Sequence, residues 1–135
     1  MTDLQRVAPK HPKQKLVVKV GVTPSINHMY IFGKGHKTLT KEAKTYIQDT
    51  QNVCAEAMRQ CKWKKEESGV WYYMDLYFYF PDKRIRDSHN CIKLLLDSLQ
   101  GLLFHNDYFV MPRIQHVCLN REEPHIRIEF YPQDI

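Results

Sequence analysis

The 135-residue sequence contains no apolar run near the roughly 20 residues that span a bilayer, so no membrane-crossing helix is expected. It has no C-x-x-C pair, which removes the usual spacing signal of a zinc ribbon. The four cysteines, Cys54, Cys61, Cys91 and Cys118, are scattered. Cys54 and Cys61 stand seven apart, as on one helix face, and read as small core residues rather than a disulfide. Free thiols in a reducing cytoplasm follow as the expectation. Residues 1–14 are polar and basic without an apolar centre, which is not the pattern of a secretory signal. There is no internal repeat and no low-complexity linker.

What is present suits a single globular domain. Hydrophobic residues make up 43% and charged residues 26% of the chain, a balance that can bury one core. We read residues 1–14 as a flexible arm, because Pro9 and Pro12 oppose regular structure, and 15–135 as the domain. Lys and Arg number 20 against 15 Asp and Glu, a net charge of +5. A small basic domain attracts polyanions, nucleic acid above all, although proteins that bind none can carry the same surplus.

Residues 15–22 are rich in valine and predict a first strand. Pro24, Gly33 and Gly35 mark a turn-rich stretch with a loop or hairpin around Met29–Phe32. From Thr40, an N-cap residue type, Ala43, Tyr46, Ile47, Thr50, Cys54, Ala57, Met58 and Cys61 recur at helical spacing. The aromatic run 70–80 predicts a central strand covered at least partly on both faces. Residues 88–103 predict a second helix with Ile92, Leu95, Leu96, Leu99, Leu102 and Leu103 as its buried stripe, weakened at Gly101. Residues 109–119 predict a strand interrupted near Pro112, at an edge or a bulge. In 125–131, Ile126, Ile128 and Phe130 alternate with Arg127 and Glu129, as in a half-buried strand. The sum is an α/β sandwich: a mixed sheet of four to five strands with two helices packed on it.

The segment with most chemistry is Asp87-Ser88-His89-Asn90-Cys91-Ile92-Lys93, at the entry to the leucine-rich helix. Helical spacing puts His89, Lys93 and Asp97 on one polar ridge. Asp107 follows in the loop after the helix, and can return to Asp87 only if the chain folds back along the sheet. Phosphodiester hydrolysis needs a nucleophilic water and neutralisation of charge at phosphorus, which carboxylates holding a divalent metal supply. Asp87, His89 and Asp107 have the donor chemistry, and Lys93 can stabilise developing charge. Spacing alone equally fits a structural account. Asp87 can cap the helix, Lys93 and Asp97 can form an ordinary i, i+4 pair, and Asp107 can cap a turn.

The chain resembles the RusA family of Holliday junction resolvases, which are crossover-junction endodeoxyribonucleases of bacteria and their prophages. The resemblance runs from about residue 16 to 131. It rests on Pro24-Ser25-Ile26-Asn27-His28-Met29-Tyr30, on Leu39-Thr40-Lys41-Glu42-Ala43, and most strongly on Phe80 to Asn90. Lys93, Asp97, Leu99, Gly101 and Asn106-Asp107 continue it. It implies that Asp87 and Asp107 are metal ligands and that Lys93 is the essential lysine. His89 stands where the family pattern has a second aspartate, giving an Asp-x-His-Asn variant. Asn106 stands where an acidic residue is common. An imidazole ligand favours Mn²⁺ over Mg²⁺, though either ion suits the carboxylates. The resemblance also implies a homodimer acting on branched DNA.

Basic and polar residues flank this segment. Lys83, Arg84 and Arg86 precede it, while Asn27, His28, Tyr30, Lys34, Lys37 and Lys41 surround the first turn-rich loop. Phosphate contacts from such residues would position a duplex. No helix-turn-helix, zinc-finger or RNA-recognition signature appears, so recognition should depend on shape and branching. The leading expectation is metal-dependent junction cleavage in recombination and repair. A junction-binding protein with a degenerate metal site is one alternative, and an interaction module with an incidental basic surface is another.

Overall fold

Elements and their order come from a computed structural model, which describes residues 14–24, 30–33, 35–65, 70–83 and 88–133. The strands are β1 (Leu16–Val20), β2 (Tyr30–Gly33), β3 (His36–Leu39), β4 (Tyr72–Phe80), β5 (Val110–Leu119) and β6 (His125–Pro132). The helices are α1 (Lys41–Cys61), between β3 and β4, and α2 (Ser88–Leu99), between β4 and β5. β2 and β3 form a separate hairpin. The other four strands make one sheet in the order β1-β6-β4-β5. β4 and β5 run parallel, and the remaining neighbours are antiparallel, so the sheet is mixed as expected. Parallel strands need a long crossover, and α2 lies in the one that joins β4 to β5.

Side-chain alternation decides which face carries the core. Leu16 and Val18, Met74, Leu76 and Phe78, and Ile126, Ile128 and Phe130 point to one face and are buried. Ala43, Tyr46 and Cys54 of α1 and Leu94, Leu95 and Leu99 of α2 join them in one apolar cluster. α1 begins as read: the Thr40 hydroxyl accepts the Ala43 N–H at 3.0 Å. Tyr46 ties α1 to the end of β1 by donating its hydroxyl to the Gly21 carbonyl at 2.8 Å.

Three expectations need correction. Cys54 is buried but Cys61 is exposed, because α1 closes there. Lys62 takes a left-handed conformation (φ 55°), and the chain turns Trp63 into the core instead. α2 stops at Leu99, not at 103. Gly101 adopts φ 85°, and Leu103 and Phe104 reach the core from a turn. β5 runs unbroken through Pro112, because an edge strand tolerates a missing N–H. Its irregularity falls at Gln115, where the β4–β5 register shifts opposite Leu76 and Tyr77.

β4 is central and at least partly covered on both faces, as read: the apolar core lies on one, and neighbouring side chains half-bury the other. Arg113 lies over the Tyr73 ring at 3.7 Å, Arg127 over Tyr77 at 4.0 Å, and His125 stacks on Tyr79 at 4.4 Å. All four cysteines are free, in keeping with the sequence reading, and burial pushes the Cys54 thiol up to about 12. No described helix is long and apolar enough to cross a membrane.

Candidate active site

The polar ridge of α2 is a consequence of its packing. Cys91, Leu94, Leu95 and Leu99 face the core, which leaves Lys93 and Asp97 exposed on the opposite side. One helical turn separates these two. The backbone of His89 lies one turn earlier on the same helix. Its side chain, like the whole of Asp87, lies outside the described residues.

Beyond Leu99 the chain reverses through Gly101, whose N–H donates to the Phe104 carbonyl at 2.7 Å. The reversal is held from behind by the segment after α1. Trp63 donates its indole N–H to the Leu103 carbonyl at 3.2 Å, and Lys65 donates to the Gly101 carbonyl at 2.9 Å. Gln51 of α1 donates to the Ser98 carbonyl at 3.1 Å. These contacts deliver residues 106–109 to the end of α2, where Asp107–Phe109 form a single 3₁₀ turn.

Two side-chain amides fix the start of that turn. Gln100 Oε1 accepts the Asp107 N–H at 3.0 Å, and Asn106 Oδ1 accepts the Tyr108 N–H at 2.9 Å. Both donors precede the turn's own hydrogen bonds, so these side chains satisfy groups that the turn leaves open. Asn106, not Asp107, is the cap; Asp107 is the first residue of the turn, half-buried.

Asp97 senses charges on both sides of it in sequence. Burial pushes its carboxyl above the ordinary carboxylate range; the Lys93 charge opposes that rise and the Asp107 charge adds to it. Carboxylate oxygens such as those of Asp97 and Asp107 are ligands of a kind that suits a hard divalent cation, Mg²⁺ or Mn²⁺. Among the described residues no group of three or more His, Cys, Asp or Glu side chains could hold a metal by itself.

The sequence reading put Asp97 on the ridge without a role, and it missed Gln100. Gln100 stands three residues after Asp97, which is a readable signal for a shared face. That its amide meets Asp107 depends on the Gly101 turn, which spacing does not reveal.

The remaining sequence candidates divide in the same way. Asn27, His28, Lys34, Arg84 and Arg86 lie outside the described residues. Tyr30 pairs with Leu39, and Lys37 with Phe32, in the β2–β3 hairpin. Lys41 is exposed at the first turn of α1, and Lys83 is exposed after β4.

No curated protein matches the chain in sequence. The family model for endodeoxyribonuclease RusA matches residues 19–131, from within β1 to within β6, and takes in the whole of α2 and the Asp107 turn. The chain is therefore a member of the RusA endodeoxyribonuclease family, whose proteins are nucleases of branched DNA.

Proposed function

We propose that this protein is a divalent-metal-dependent endonuclease that resolves four-way DNA junctions by paired nicking as a homodimer. The observation that supports the reading most directly is the family match over residues 19–131, which takes in α2 with its exposed Lys93 and the turn that carries Asp107. Asp87, His89 and Asp107 are the proposed metal ligands. The chemistry supplied by a bound Mg²⁺ or Mn²⁺ is Lewis acidity and a water of lowered pKa. Lys93 stabilises the charge that develops on the phosphate or leaving oxygen.

Phosphate contacts from Lys34, Lys37, Lys41, Lys83, Arg84 and Arg86 position the DNA, and Asn27, His28 and Tyr30 engage the branch. A two-fold dimer presents two such sites to a pseudo-symmetric junction. Junctions of recombination and repair, in a cytoplasmic and prophage-associated setting, are the proposed substrates.

The test is to incubate the protein with a labelled four-way junction and with linear duplex, in Mg²⁺, in Mn²⁺ and with chelator. Nicking of the junction alone, abolished by chelator, is expected, with Mn²⁺ the better ion if His89 is a ligand. No nicking in either metal would overturn the catalytic reading. His89, in place of an acidic residue, favours one second reading: a junction-binding protein that no longer cuts. It predicts tight, salt-sensitive junction binding without product.

A further inference from the structure

Tyr108 is 70% exposed. The other large hydrophobic side chains that stand exposed among the described residues are aliphatic: Val17, Val53, Val117 and Leu119. A single exposed apolar residue ordinarily needs no explanation. Three features set this one apart. It directly follows Asp107, a proposed metal ligand, in the same short turn. Its backbone is fixed, with the N–H held by Asn106 Oδ1 at 2.9 Å inside a turn that Gln100 also clamps. Its ring is oriented by aromatic neighbours: Trp71 lies 5.7 Å away, tilted at 50°, and Phe109 lies 5.1 Å away, edge-on at 84°. Trp71 and Phe109 are themselves in edge contact at 5.1 Å, so the three rings form one platform at the turn that carries Asp107.

A ring held in this way loses little further freedom when it binds, and its free surface suits a flat, apolar partner. Beside a phosphodiester-cleaving site that partner is a nucleobase. Bases within a linear duplex are stacked and closed to it, whereas bases at a branch point can unstack. We propose that Tyr108 is a base-stacking, specificity-determining residue that packs on an unstacked nucleobase at the branch of the DNA and so favours branched over linear substrates. This rests on the nuclease reading, and names the element that selects the substrate.

The experiment is equilibrium binding with chelator present, so that no strand is cut. The probes are a four-way junction carrying 2-aminopurine at the branch and a linear duplex carrying it centrally. Wild type should prefer the junction and quench the branch fluorophore. Tyr108→Ala should weaken junction binding about tenfold, in the range that stacking one base supports, and should lose the quenching. Its duplex affinity should stay within about twofold of wild type, since stacking contributes nothing there. Tyr108→Phe, which keeps the ring, should behave as wild type, and Tyr108→Leu, which keeps bulk without a π face, as the alanine variant. An unchanged junction preference in Tyr108→Ala would overturn the proposal, as would equal losses on both probes. If wild type itself does not prefer the junction, the branched-DNA reading fails, and the role of Tyr108 fails with it.

Discussion

Arg113 donates to both carboxylate oxygens of Asp75, at 2.7 and 3.1 Å, across the parallel pair β4–β5. Tyr131 of β6 donates its hydroxyl to the same carboxylate at 2.7 Å, and Gln115 reaches it at 3.3 Å. Asp75 is the one buried carboxylate among the described residues, and its partners come from both neighbouring strands. It ties three strands together on the face away from the helices. Burial alone would push its carboxyl up; the hydrogen bonds from Arg113 and Tyr131 and the nearby positive charge outweigh that and hold it below the ordinary range.

Replacing Asp75 by Ala should therefore lower stability by about 2 kcal/mol, the scale of losing charge-assisted hydrogen bonds that leave polar partners behind. Urea unfolding at pH 7 measures it. Because the folded-state carboxyl is depressed, the stabilisation is complete above the unfolded value near 4 and fades as pH falls through the lower folded value. The gap between wild type and Asp75→Ala should accordingly narrow in acid below about pH 4. A gap that stays constant from pH 7 to pH 2 would show that the charge is not its source.

Lys93 is exposed on the ridge and lies outside the apolar core, so Lys93→Ala should fold normally. Its expected defect is chemical: a fall in junction cleavage of about 10²-fold or more, as when one charge-stabilising donor is removed. Single-turnover cleavage at saturating metal reads this, and calorimetric titration with Mn²⁺ should show binding largely retained. Cleavage at the wild-type rate would remove Lys93 from the mechanism.

Gln100→Leu keeps side-chain volume but loses the acceptor for the Asp107 N–H. Amide hydrogen exchange at Asp107 in the metal-free protein should accelerate by roughly five- to tenfold, the equivalent of about 1 kcal/mol. Mn²⁺ affinity should fall at the same time, as it does when groups that orient ligands are removed. Gln100→Glu retains the acceptor and should restore the slow exchange.

Phe130 packs against Trp63, Tyr72 and Phe104 at ring separations of 5.5, 4.8 and 5.6 Å, and it is fully buried. Phe130→Ala should cost about 3–5 kcal/mol, the transfer term plus the cavity left among rings that cannot collapse. The midpoint of thermal unfolding should drop by more than 10 °C, roughly, for a chain of this size. Scanning calorimetry is the check.

Much of the scaffold was legible in one dimension because burial has a period. Ile126, Ile128 and Phe130 announced β6, and the stripe from Ala43 to Cys54 announced α1. Residue chemistry likewise marked the ridge His89, Lys93 and Asp97, and the motif around it carried the family. Errors fell where periodicity ends. Cys61 and Leu102 continue their stripes in sequence, but Cys61 is the last helical residue before left-handed Lys62, and Leu102 follows left-handed Gly101 beyond the end of α2. Asp75 reads as a lone polar residue in an aromatic strand; only the pairing of β4 with β5 and β6 brings Arg113 and Tyr131 to it.

The sequence by itself determined the elements, the core and the family, because local spacing and residue type suffice to specify them. Only the tertiary structure decided that the Asp107 turn returns to the end of α2, that Gln100 holds its backbone, and that Tyr108 stands exposed there. Those relations depend on how a ten-residue reversal is pinned by Trp63, Lys65 and Gln51 from another part of the chain. Contacts between segments distant in sequence leave no periodic trace in either one.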